Sequence, residues 1–172
     1  MAGPGLGAVG EIAELRAQHP DALLLQRDDA DARNVLTSLD GARLAHVAAH
    51  GSHEPENAMF SRLELADGDL YAHEMTRLRR PPKHVVLAAC ELALSRIRPG
   101  DETLGFAGAL LAVGVCTVTA ALTRIGDEAA ATAMADYHRR LIDTSPAIAL
   151  ADMTAADPLR RPFVCLGAGH QH

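Results

Sequence analysis

Two uncharged runs constrain this chain more than any other feature. The run at 43–49 closes on His50-Gly51, and the run at 84–89 closes on Cys90-Glu91. Past Arg43, each is short, apolar and rich in Val, Leu and Ala, as a strand buried in a sheet requires. If the two strands are parallel neighbours, His50 and Cys90 emerge at one carboxyl edge. Open α/β sheets place their sites there.

Helical and strand patterns alternate around these runs. The segment from Gly10 to Gln18 predicts a helix with Ile12, Ala13 and Leu15 on one face, stopped by His19-Pro20. Ala22 to Leu25 predicts a short strand, and Asp31 to Leu39 a second helix ended by Asp40-Gly41. Past a polar loop at 52–57, Leu63 to Leu70 predicts a β ribbon about Asp67-Gly68. Ala72 to Leu78 predicts a short helix stopped by Pro81-Pro82. Asp101-Glu102 opens a helix that runs to Leu111, with Gly114 as its cap, and 115–121 reads as a strand. Asp127 opens an amphipathic helix through Ala130, Met134, Tyr137 and Leu141. A short helix at 147–153 and a strand at 163–167 complete the pattern. Short connections between alternating elements give an α/β fold, a mostly parallel sheet with helices on both faces. The whole chain, 1–172, reads as one domain with a loose stretch at 1–9.

Composition narrows the function classes. A net charge of −6, with no basic cluster interleaved with aromatics, gives no support for nucleic-acid binding. Three well-separated cysteines do not make a disulfide framework and point to a reducing, cytoplasmic setting. The first seven residues lack the basic and apolar regions of a signal peptide. The stretch 105–122 carries no charge and is nearly long enough to span a membrane. It is mostly Gly, Ala and Thr, however, and divides into a buried helix and a buried strand, so no membrane association is expected.

The chemistry-bearing residues lie at the strand ends. A thiol at Cys90 beside an imidazole at His50 makes a candidate nucleophile with its base. Gly51 lets a carbonyl approach the backbone and offers its N–H as an oxyanion donor. Cys116 and Cys165 lie within apolar strands and read as small core residues. Asp127 fits two roles equally: N-cap of the helix it opens, or a carboxylate at the sheet edge that receives a basic side chain. Glu91 reads as a loop residue that helps to orient the pocket. His46, His50, His53 and Cys90 are the one metal-ligand set available. They lack Cys-x-x-Cys or His-Glu-x-x-His spacing, and neither a metal nor a cofactor is expected.

In this order and spacing, several pieces from about Gly10 to Gly167 resemble the CHAT domain, a caspase-like domain related to separase and often found beside tetratricopeptide repeats. They are His46-Val47-Ala48-Ala49-His50-Gly51, Leu63 to Leu70, Val85 to Glu91, Gly100-Asp101-Glu102 with Leu104 to Ala107, Gly114-Val115, Ala121-Leu122 before Asp127, and Phe163 to Gly167. The resemblance implies a caspase-like three-layer sandwich, shortened on its N-terminal side. It implies a clan CD cysteine endopeptidase with His50 and Cys90 as the dyad, and Gly51 and the Cys90 N–H as the oxyanion hole. Asp127, with Glu91, would line the P1 pocket. The substrate would be a protein or peptide, cut through a thioester acyl-enzyme. The partner would be an upstream sensor or tetratricopeptide-repeat protein, as in bacterial relatives. The alternative is a catalytically silent module whose shortened sheet pairs with another chain, including a second copy of itself.

Overall fold

The uncharged runs form adjacent parallel strands. The computed structural model of the protein describes residues 1–3, 9–54, 56–88, 105–122, 125–158 and 161–168. In chain order the elements are helices α1 (Val9–Gln18) and α2 (Ala32–Leu39), then strands β1 (Leu44–Val47), β2 (Gly51–Ser52), β3 (Arg62–Leu65), β4 (Gly68–Tyr71) and β5 (His84–Leu87). Helix α3 (Gly105–Ala112), strand β6 (Thr117–Ala121), helices α4 (Asp127–Leu141) and α5 (Pro146–Ala156) and strand β7 (Phe163–Gly167) complete the order. The main sheet runs β1-β5-β6-β7, and β2-β3-β4 make a second, antiparallel sheet. β1 lies parallel to β5, with Leu44 opposite His84 and Val47 opposite Leu87. β5 lies parallel to β6, and β7 returns antiparallel.

Side-chain alternation divides the core into two layers. Val85 and Leu87 pack with Val35, Leu39, Phe106 and Leu110 on one face of the sheet. Val86 packs with Met134, Tyr137 and Met153 on the other. Helices α2 and α3 therefore cover one face and α4 and α5 the other, with α1 laid against α4. The result is the expected three-layer α/β sandwich. With almost no aromatic residues, its stability comes from many aliphatic side chains, each contributing about 1.5–3 kcal/mol on full burial.

Local chemistry explains most element ends. Asp31 caps α2, its carboxylate accepting from the Asn34 amide at 2.7 Å. Pro146 begins α5, where its missing N–H costs nothing. Gly167 ends β7 at φ +89°, and a Cβ there would overlap the Cys116 carbonyl. The tight Asp67-Gly68 turn joins β3 to β4 as expected, with Leu65 opposite Gly68.

Several expectations are corrected. No strand forms at 22–25. Among the described residues there, only the neighbouring Gln26 makes a bridge, to Ala2. Met1 to Gly3, expected to be loose, pair with Ala48 as well. A β strand also forms at Gly51–Ser52, where a polar loop was expected, because Leu63 and Arg62 lie opposite. The 72–78 segment forms a 3₁₀ turn, Ala72–Arg77, rather than an α-helix. Cys116 is exposed and Cys165 half-buried, so neither is a fully buried core thiol. Cys116 falls just before β6 instead of within it. The uncharged stretch 105–122 does divide into helix and strand, and among the described residues no helix is long and apolar enough to cross a membrane.

Candidate active site

Because β1, β5 and β6 are parallel, their carboxyl ends share one edge of the sheet. His50 stands there, three positions beyond the end of β1. Its main chain is fixed from two sides. The Ala88 N–H donates to the Val47 carbonyl at 2.9 Å, locking the end of β1 to the end of β5. The Glu64 N–H donates to the His50 carbonyl at 2.8 Å, tying the turn to β3. The imidazole itself is exposed and has no hydrogen-bond partner among the described residues.

Gly51 follows directly, in β2, opposite Leu63. Asp127 is the first residue of α4, on the connection that leaves the carboxyl end of β6. Gly126, not Asp127, is the N-cap. The cap expectation is thus shifted by one residue, and Asp127 lies in the first turn, where the helix dipole favours a carboxylate. Cys90 and Glu91 lie outside the described residues. The chain reaches Ala88 at that edge, beside Val47, two positions before Cys90.

The other histidines weighed as metal ligands serve different ends. His53 Nδ1 lies 3.2 Å from the Ser61 hydroxyl, which also accepts from the Glu54 amide. His46 joins a partly buried chain of imidazoles that sequence reasoning missed. His46 Nδ1 lies 3.1 Å from His138 Nε2, and His138 Nδ1 lies 3.1 Å from His19 Nε2. His46 Nε2 faces Glu11 Oε1 at 3.0 Å. Neither atom gains a hydrogen-bond partner by that last contact. A consistent proton assignment gives every ring an Nε2–H, each aimed toward the next acceptor and the last toward the Glu11 carboxylate. Burial pushes His138 down to about 2, with the neighbouring His46 and His19 adding to it. His84 forms a second buried site: its Nε2 lies 3.1 Å from the Thr119 hydroxyl, which lies 2.8 Å from the Tyr137 hydroxyl. Burial, then the nearby His46, lowers His84 to about 4. Only the spacing of the histidines was visible beforehand; pairing positions 19, 46 and 138 requires the packing of α1 on α4.

Among the described residues no group of three His, Cys, Asp or Glu side chains could hold a metal ion. The imidazole chain is closed by hydrogen bonds between its own nitrogens.

No curated protein matches this chain. The model of one family, described as the CHAT domain, matches residues 5–157, a span that contains the parallel sheet through α5, His50, Cys90 and Asp127. With a caspase-like α/β sandwich built around that span, the chain belongs to the CHAT domain family, a family related to caspase-like peptidases.

Proposed function

We propose that the protein is a cysteine endopeptidase that hydrolyses a peptide bond in a protein partner. Cys90 is the nucleophile and His50 its base. The observation that carries this is the parallel pairing of β1 with β5, which brings His50 and the approach to Cys90 to one sheet edge. The imidazole takes the thiol proton, and the thiolate adds to the scissile carbonyl. The backbone N–H groups of Gly51 and Cys90 receive the oxyanion. Collapse expels the amine, which takes the proton from the imidazolium, and leaves a thioester. Water, deprotonated by His50, then releases the acid and restores the thiol. Asp127 and Glu91 serve the P1 pocket; a carboxylate at the edge suits a basic side chain. An upstream sensor or repeat protein regulates the activity.

The test is labelling with peptidyl acyloxymethyl ketones carrying Arg, Lys, Leu or Asp at the acyl position, followed by peptide mapping. The expected adduct is on Cys90 and is lost in Cys90→Ala and His50→Ala. Cys116 is exposed and reacts with small electrophiles, so the peptidyl group supplies the discrimination. His50→Ala should leave stability within about 0.5 kcal/mol, because the ring is exposed. Labelling that survives His50→Ala overturns the dyad. A folded protein with no adduct at Cys90 favours the silent interaction module.

A further inference from the structure

Helix α1 is attached unlike the other helices of the sandwich. The two apolar cores take side chains from α2, α3, α4 and α5 but, among the described residues, none from α1. Its own buried side chains are Leu15 and a carboxylate, Glu11. Polar contacts fasten it instead. The Gln18 side-chain amide donates to the Ala135 carbonyl of α4 at 3.1 Å. Glu11 faces His46 of β1 at 3.0 Å, and His19, one residue past the helix, meets His138 of α4 at 3.1 Å. Three buried atoms at this interface, Glu11 Oε1, Gln18 Oε1 and His46 Nε2, have no hydrogen-bond partner among the described residues. Such atoms weaken an interface, because each has given up water without replacement.

His138 joins the three elements. Its two ring nitrogens meet His19 and His46, at 3.1 Å each, and the residue is 2% exposed. The groups that face it are His19 from the end of α1, His46 from β1 with Glu11 of α1 beyond it, His84 from β5, Tyr137 on its own helix and the Met1 ammonium. The one carboxylate among them, Glu11, pairs with His46. A proton on His138 would therefore sit between two imidazoles, away from water and with no counter-charge against it. The closed fold keeps the ring neutral for that reason. Lifting α1 removes His19 and Glu11 and opens His138 to water, where an imidazole takes up a proton near its ordinary value. His84 differs. Its partners are Thr119 of β6 and Tyr137 of α4, so it stays covered when α1 alone moves.

We propose that α1 is a pH-operated latch, held on α4 and β1 by the neutral imidazole chain and released by acid while the sheet and its other helices stay folded. Linkage fixes the size of the effect. Release exposes one ring that gains a proton, so the released population rises about tenfold per pH unit below 6.5. Complete unfolding exposes His84 as well, and its population rises about a hundredfold per unit over the same range. Release uncovers His46 on β1, the strand that leads to His50, but the inference does not depend on any catalysis there.

The test is amide hydrogen exchange on the full chain from pH 7.5 to pH 5, corrected for the intrinsic exchange rate. The α1 amides should show an opening constant that climbs about thirtyfold over that range, against about a thousandfold for Val85 to Leu87 in β5, and α1 should open more readily than β5 throughout. Urea below the unfolding midpoint should accelerate β5 exchange more steeply than α1 exchange, because release of one helix exposes less surface. His138→Gln keeps a hydrogen-bonding side chain that does not titrate, and should leave the α1 opening constant flat with pH. Should that variant not fold, the pH and urea slopes of the wild-type protein decide the matter. One opening constant and one urea slope for α1 and β5 overturn the proposal, since α1 then leaves only with the whole fold. So does an α1 opening constant that ignores pH in the wild-type protein, or an unchanged pH slope in folded His138→Gln.

Discussion

Protonating His138 would place a charge among His19, His46 and His84, with the N-terminal ammonium nearby. The fold keeps that ring neutral, and His84 with it. In the unfolded chain each takes up a proton near the ordinary value of 6.5. Below that pH the unfolded state binds more protons than the folded state, so stability falls as pH falls. The slope is about 1.4 kcal/mol per pH unit for each ring until the folded value is reached. Urea midpoints should therefore drop steadily from pH 7 to pH 5, and His138→Gln should flatten the profile. An unchanged slope in that variant would remove His138 from the account. The groups packed against this site are Glu11, His19, His46, His84 and Met1; Glu11 opposes the trend at Met1, whose ammonium burial lowers to about 6.

At the level of elements, two attachments are decisive. Asp136 on α4 accepts from Arg161 at 2.6 Å and from Arg140 at 3.1 Å, fastening the helix to the segment that enters β7. Burial alone would raise that carboxyl, but the hydrogen bonds and charges of Arg161 and Arg140 outweigh it and hold it below its ordinary value. Its contribution is present above 3.8 and is lost as pH falls through the lower folded value. Asp136→Asn should cost about 2 kcal/mol in urea unfolding at pH 7. An unchanged midpoint would count the cluster as surface charge. Gly167 is the second attachment. Gly167→Ala must adopt φ +89° and meet the Cys116 carbonyl, for a loss of about 2 kcal/mol or more. A wild-type Tm would show that the end of β7 moves freely.

For the whole molecule, the net charge of −6 and a pI near 5.8 set its colloidal behaviour. Solubility should pass through a minimum near that pH, and a curve without one would contradict the charge count. The mostly parallel sheet, the helices on both its faces and the edge carrying His50 were legible from residues. Apolar runs at 44–49 and 84–89, alternating with helical periods, bury themselves as parallel strands covered on both faces. His50 was legible because a polar side chain at the end of such a run has to emerge at the carboxyl edge. Cap position and thiol burial were less legible: Gly126 displaced Asp127, and Cys116 fell outside β6 and became exposed. These depend on where a turn closes, to within a residue. By itself, then, the sequence determined the class of fold, the family and the sheet edge at which His50 stands, because hydrophobic period and strand-end residues are local properties. The tertiary structure alone decided that His19, His46 and His138 meet, and that Met1 to Gly3 lie between Ala48 and Gln26. Those contacts join positions up to 119 residues apart, and only the packing of α1 on α4, and of the chain's start beside β1, brings them together.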